Sequence, residues 1–153
     1  MKISRASIML GALSLSLLAT AKEKKIERSQ LPPDVEKAVT TLAQNATIRG
    51  FSKETEHGTT YYEAELTVAN HHKDVLFDTT GNVVEVEEEV ALDSLPVSVQ
   101  DGLQVRARDR KVQEVESITK HGELVAYEAQ VVKNGKRSEV QVGREGEQLA
   151  HEE

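Results

Sequence analysis

The sequence predicts an α+β fold of two tandem modules. Each module is one helix packed on a four-stranded antiparallel sheet, with the helices behind and an open sheet surface in front. Three observations predict it. First, the chain repeats itself: Leu31-Pro32-Pro33-Asp34-Val35 returns as Leu95-Pro96-Val97-Ser98-Val99, and His57-Gly58 returns as His121-Gly122, each 64 positions on. Tyr62-Glu63-Ala64 returns as Tyr127-Glu128-Ala129, and Val75, Phe77 and Gly81 return as Val140, Val142 and Gly146, now 65 positions on. Self-similarity of this kind decides architecture before any single residue does. Second, each copy opens with a Leu-Pro helix start. Third, the hydrophobic period then changes from 3.6 to two.

Residues 1–21 read as a secretory signal peptide. Lys2 and Arg5 form a basic start, Ile8 to Leu18 is apolar, and Ala19-Thr20-Ala21 is a small-x-small cleavage site. The apolar run is too short for a spanning helix, which needs about 20 residues. With no cysteine in the chain there is no lipoprotein acceptor and no disulfide. The expectation is a periplasmic or extracellular protein that does not insert in the membrane after cleavage. A half of about 60 residues is marginal alone, so the copies are expected to support each other. Residues 1–21 hold two of the 19 basic residues and none of the 26 acidic ones, so the net charge of −7 becomes −9 once they are removed. An acidic chain with 3% aromatics lacks the basic grooves and stacking rings of a nucleic-acid binder.

Residues 22–30 are charged and read as a flexible lead-in, followed by module one at 31–92 and module two at 93–153. In module one, Pro32-Pro33 and Asp34 suit a helix entry. Val35, Ala38, Val39 and Leu42 make one stripe, and Asn45 can end the helix. Ile48 to Glu54 reads as a strand. Tyr62, Ala64, Leu66 and Val68 then alternate with Glu63, Glu65 and Thr67, the clearest strand pattern in the chain. Val75 and Phe77 mark a third strand, Asp78-Thr79-Thr80-Gly81 a β-turn, and Val83 to Val90 a fourth strand. In module two a weaker helix carries Val99 and Leu103, with Gly102 inside it at a cost of about 1 kcal/mol relative to Ala. Arg106 shortens its stripe. Val112 to Lys120 is a strand with a bulge, because Val112 and Val115 do not share a phase. Val125 to Val131 repeats the strong strand, Asn134-Gly135 is a two-residue hairpin turn, Val140 and Val142 follow, and Gln148-Leu149-Ala150 is a shortened last strand.

The Leu-Pro helix starts, the two Tyr-Glu-Ala strands and the two hairpins, Val75-Leu76-Phe77-Asp78-Thr79-Thr80-Gly81 and Val140-Gln141-Val142-Gly143-Arg144-Glu145-Gly146, together resemble the PepSY-like family. These are exported proteins related in fold to the proteinaceous β-lactamase inhibitors. The resemblance covers nearly all of the chain after residue 21. It implies a tandem β-lactamase-inhibitor-like α+β repeat whose sheet surface binds a partner. Two features depart from it: the inhibitors rely on disulfides, and Gly143 stands where the first hairpin has Asp78. No inhibitory residue transfers.

The candidate binding residues lie on the sheet face away from the helices: Tyr61, Glu63, Glu65, Glu85, Glu87, Glu89 and Glu128. They would form an acidic, solvated face, with Tyr61 as the anchor and the carboxylates steering a basic protein or peptide. Tyr62 and Tyr127 fall on the core face. Arg106, Arg108, Arg110 and Lys111 form the one basic cluster, read as a solvated loop. No catalytic residue, cofactor or metal ligand is assigned. His71 and His72 are adjacent on an extended chain and point opposite ways, so they do not chelate one ion together. No spacing matches a calcium loop, a nucleophile elbow, a metalloprotease helix or a P-loop. The expectation is an exported, non-catalytic binding module that inhibits or regulates an envelope or secreted protein. The alternatives are a calcium-responsive or structural envelope protein and a secreted enzyme with a site assembled from distant residues.

Overall fold

In the computed structural model, which describes residues 23–56 and 58–153, eight strands form one antiparallel sheet in chain order. The strands are β1 (Lys24–Ile26), β2 (Ala46–Glu56), β3 (Thr59–Val68), β4 (His71–Asp78), β5 (Val83–Glu89), β6 (Lys111–Lys120), β7 (Glu123–Lys133) and β8 (Lys136–Gly143). Two short α-helices, α1 (Pro33–Leu42) and α2 (Val97–Ala107), complete the fold. The proposed signal peptide lies outside the described residues, as does His57.

The expectation of two modules, each a helix on its own four-stranded sheet, is therefore corrected: the sheet is continuous. β5 pairs with β6 from Glu85↔Lys120 to Glu89↔Glu116. The seam is closed further by the His121 N–H to the Val84 carbonyl at 2.9 Å and the Val90 N–H to the Val115 carbonyl at 2.8 Å. A free β5 edge would leave a row of unpaired backbone groups, and pairing with the next repeat satisfies them. The strands also divide unevenly. Lys24–Ile26, read as lead-in, is an edge strand on β2 with Ile26 opposite Phe51. At the other end no strand forms at Gln148-Leu149-Ala150, and β8 is the last of the sheet.

Both helices start as their prolines dictate. Pro32 and Pro96 precede the first helical turns in extended conformation, and α1 carries Asp34 and Glu36 at its positive end. Val35 and Val39 of α1 pack with Phe51, Tyr62, Ala64, Leu66, Val75 and Phe77. Val99, Leu103 and Ala107 of α2 pack with Val115, Tyr127, Ala129, Val131, Val140 and Val142. The α2 stripe thus runs through Ala107 to the helix end, while Leu42 of α1, expected in its stripe, is 48% exposed.

Close backbone contacts seat the helices. Gly81 and Gly146, in the turns after β4 and β8, have φ of +81° and +87°. A Cβ would stand 2.5 Å from the Asp34 carbonyl oxygen at Gly81 and 2.1 Å from the Ser98 carbonyl oxygen at Gly146. Gly102 explains itself in the same way: a Cβ there would lie 2.2 Å from the Gly146 carbonyl oxygen. The helix gives up propensity to let a turn approach its backbone.

Candidate functional site

The face opposite the helices is built in rows, because directly paired residues of antiparallel strands share a face. One row runs Ser52, Glu63, Leu76, Glu85, Lys120. The next runs Gly50, Glu65, Asp74, Glu87, Ile118, Ala126, Gly143. A third runs Glu89, Glu116, Glu128, Gln141. Tyr61 lies beside them, between Glu54 and Asp78. The sheet thus gathers the seven sequence-derived candidates onto one face, Glu63 with Glu85, Glu65 with Glu87 and Glu89 with Glu128.

Parts of this face are not solvated as expected. Glu63, Glu65 and Glu128 are 8%, 9% and 2% exposed, and Ser52, Glu54, Glu116 and Gln141 are buried as well. Tyr61, Glu85, Glu87 and Glu89 are half-buried. Glu63 and Glu65 on β3 and Glu128 on β7 each stand between two paired strands, whose side chains flank them. The buried carboxylates recruit local donors: the Ser52 hydroxyl donates to Glu63 Oε2 at 2.6 Å, and the Gln141 amide donates to Glu128 Oε2 at 2.7 Å.

Crowding of carboxylates shifts their protonation. Burial pushes Glu63 up to about 8 against the pull of the Ser52 hydroxyl, with Asp74, Glu65 and Glu23 adding repulsion. Glu87 is held well above the usual carboxylate range, first by burial and then by Glu116, Glu128, Glu85 and Glu63. Burial also raises Glu54, Glu85 and Asp74, although Lys120 opposes it at Glu85 and Arg49 at Asp74. The chain's own cations reach part of this charge. Lys25 of β1 caps Glu65, Arg49 meets Asp74 at 2.9 Å, and Lys120 stands 3.9 Å from Glu85. Over β6 and β8 the last residues fold back, with the Glu153 N–H on Gln141 Oε1 at 2.8 Å and the Glu153 carboxylate 3.7 Å from Lys120.

Sequence reasoning missed Ser52, Glu54, Asp74, Glu116 and Gln141. Alternation assigns a face, but row membership needs register, and register shifts at Ile48/Gly50 and Val112/Glu114 reset the phase. The second shift is the bulge that the Val112 and Val115 phases predicted. Within the basic cluster Arg110 has a local role: it donates to the Ala107 and Arg106 carbonyls at 3.0 and 2.6 Å and so closes the end of α2. His121 lies in an exposed turn. Among the described residues, two groups of side chains have metal-ligand character, Glu23 with Glu63 and Glu65, and His72 with Glu89 and Glu114. In the first, the Lys25 ammonium already stands between Glu65 and Glu23, 3.3 Å from the latter. No helix among the described residues is long and apolar enough to cross a membrane.

Eight strands in chain order carry two helices on one face of the sheet and a carboxylate-rich opposite face. Several solved structures share this fold. A Bacteroides eggerthii protein named for a periplasmic location matches with a TM-score of 0.62 and 20% identity, over 80% of this chain and 88% of that one. A DUF2874 family protein from Bacteroides ovatus matches with a TM-score of 0.60 and 18% identity, over 78% and 85% of the two chains. A BLIP-like protein from Bacteroides fragilis matches with a TM-score of 0.55 and 23% identity, over 80% and 86%. No family model matches the chain, and no curated protein does.

Proposed function

We propose that this chain is an exported, non-catalytic binding module that receives a basic protein or peptide on the face opposite its helices, and so inhibits or regulates a partner in the periplasm or outside the cell. The observation that carries this reading is the concentration of desolvated carboxylates in adjacent rows, with Glu63 and Glu87 pushed toward protonation. Lysine or arginine side chains arriving on such a face relieve repulsion that water screens poorly. Tyr61, half-buried beside the rows, supplies a rigid aromatic anchor at their edge. The fold likeness to a BLIP-like protein and the signal-like residues 1–21 support a secreted binding role.

The test is capture. The immobilised protein is exposed to envelope extract of its own cells, and retained proteins are identified by mass spectrometry. Binding of the retained partner is then measured for Tyr61→Ala and for Glu85→Gln with Glu89→Gln. Each is expected to weaken binding and leave the thermal midpoint nearly unchanged, with the carboxylate pair acting chiefly on the association rate and its salt dependence. Binding that survives all three changes would sink the proposal.

A further inference from the structure

At the join of the two repeats, three strands bring together side chains that the sequence keeps apart. His72 is the second residue of β4, Glu89 ends β5, and Glu114 lies near the start of β6. His72 Nδ1 is 3.0 Å from Glu114 Oε1, and the His72 backbone N–H donates to Glu89 Oε2 at 2.9 Å. One ligand atom from each of the three residues lies within 4.8 Å of the others. We propose that His72, Glu89 and Glu114 form a binding site for a divalent transition-metal ion, with zinc as its natural size and class.

The chemistry fits on four counts. An imidazole with two carboxylates is a zinc-type donor set, and the nitrogen ligand disfavours calcium and magnesium, which take oxygen. Zinc bonds of about 2.0–2.2 Å place neighbouring tetrahedral ligands about 3.4 Å apart, so His72 and Glu114, hydrogen-bonded at 3.0 Å, need only a small separation to take an ion in place of their shared proton. The imidazole side chain is 45% exposed and those carboxylates 30% and 23%, so an ion can enter and a coordination position stays open to water or a partner. Finally, the ion would be electrically matched, since two carboxylates face one imidazole at the acidic face.

Backbone detail supports the placement. Glu114 follows the register shift between Val112 and Glu114, and such a bulge re-aims a side chain. Glu89 is oriented by the His72 N–H, a bond that leaves Oε1 directed elsewhere, 3.9 Å from the His71 ring. The scaffold repeat does not supply this cluster. The positions matching His72 and Glu114 in the other copy hold Arg137 and Gly50. His72 finds its partners across the sheet.

The experiment is calorimetric titration of zinc into the purified protein after chelator treatment and dialysis. The expected result is one zinc per chain, with ring-nitrogen resonances of His72 moving on binding. His72→Ala and Glu114→Gln should each weaken binding by about tenfold or more, while His121→Ala leaves it unchanged. Circular dichroism confirms that each variant is folded, and His72→Gln replaces the alanine variant if it is not. Absence of binding at about 100 μM zinc, where a site with a Kd of about 1 μM would raise the unfolding midpoint, overturns the proposal. So does binding that both variants leave intact, or zinc displaced by an equal concentration of calcium.

Discussion

The two repeats seat their helices by the same contact at different closeness. In repeat one, Gly81 passes the start of α1 and Ala38 occupies the helix position that matches Gly102. In repeat two, Gly146 passes the start of α2 more closely, and Gly102 opens the helix surface so that the turn can reach it. In sequence the apolar stripe of α2 reads as short and has a glycine beside it, yet Val99, Leu103 and Ala107 are fully buried. A helix that reads as weak is thus held by fit to a turn, with its end closed by Arg110. The residue that lowers its intrinsic propensity is the one its packing requires. The opposite face differs as well: Tyr61, Glu63 and Glu65 of repeat one are answered by Ala126, Glu128 and Gln130. Ala126 pairs with Ile118, and both are buried. The charged, aromatic part of the face therefore belongs to repeat one and to the join.

The sharpest way to break this comparison is to exchange the helix residues. By propensity alone Gly102→Ala should stabilise α2 by about 1 kcal/mol. The close approach of Gly146 reverses the sign, and urea denaturation is expected to show a loss of about 2 kcal/mol. The reciprocal Ala38→Gly should cost about 1 kcal/mol through propensity and lost packing. A more stable Gly102→Ala protein would show that α2 is not held by that turn.

A second effect tests the acidic face of repeat one by pH. Glu63 has a folded pKa of about 8, above its unfolded value. Folding therefore favours its protonated form, and the stability this contributes is fully present below the unfolded pKa and lost as pH rises through about 8. The thermal midpoint should rise as pH is lowered from about 8.5 toward about 5. Glu63→Gln, which keeps an oxygen to accept from Ser52, should flatten that dependence and raise the midpoint at the alkaline end. An unchanged slope in this variant would place the titrating group elsewhere. Asp78 behaves oppositely: donors from Asn82 and Thr80 lower it to about 2, so its contribution is lost only in strong acid.

The smallest effect concerns the helix end. Arg110→Ala removes the donors that close α2, and no basic residue stands in the last turn of α1. A loss of about 1 kcal/mol in chemical denaturation is expected. A null result would mean that water satisfies those carbonyls equally well.

Much of the fold was legible because its signals are local. The prolines at 32 and 96 name the helix starts, the alternation from Tyr62 to Val68 names a strand and its two faces, and Gly81 and Gly146 name the turns. The sheet edges were not legible. The β5 strand can satisfy its backbone groups within its own repeat or across the join, and no side-chain period distinguishes the two. The same limit hid β1, whose Lys24–Ile26 is too short and polar to show a period, and the absence of a strand at Gln148 to Ala150.

For the candidate site, alternation placed Tyr61, Glu63, Glu65, Glu85, Glu87, Glu89 and Glu128 on one face without revealing that Glu63, Glu65 and Glu128 are buried. Burial depends on what stands beside a residue two strands away, which the chain order does not encode. The grouping of His72 with Glu89 and Glu114 depends on the same long-range pairing, and on a bulge that shifts the register of β6. The sequence by itself determined the repeat, the helix starts, the strand faces and the turns, all of which rest on dihedral preference and hydrophobic period over a few residues. Only the tertiary structure decided the single sheet, the rows, the buried carboxylates and the histidine cluster, because hydrogen bonding between strands is blind to distance along the chain.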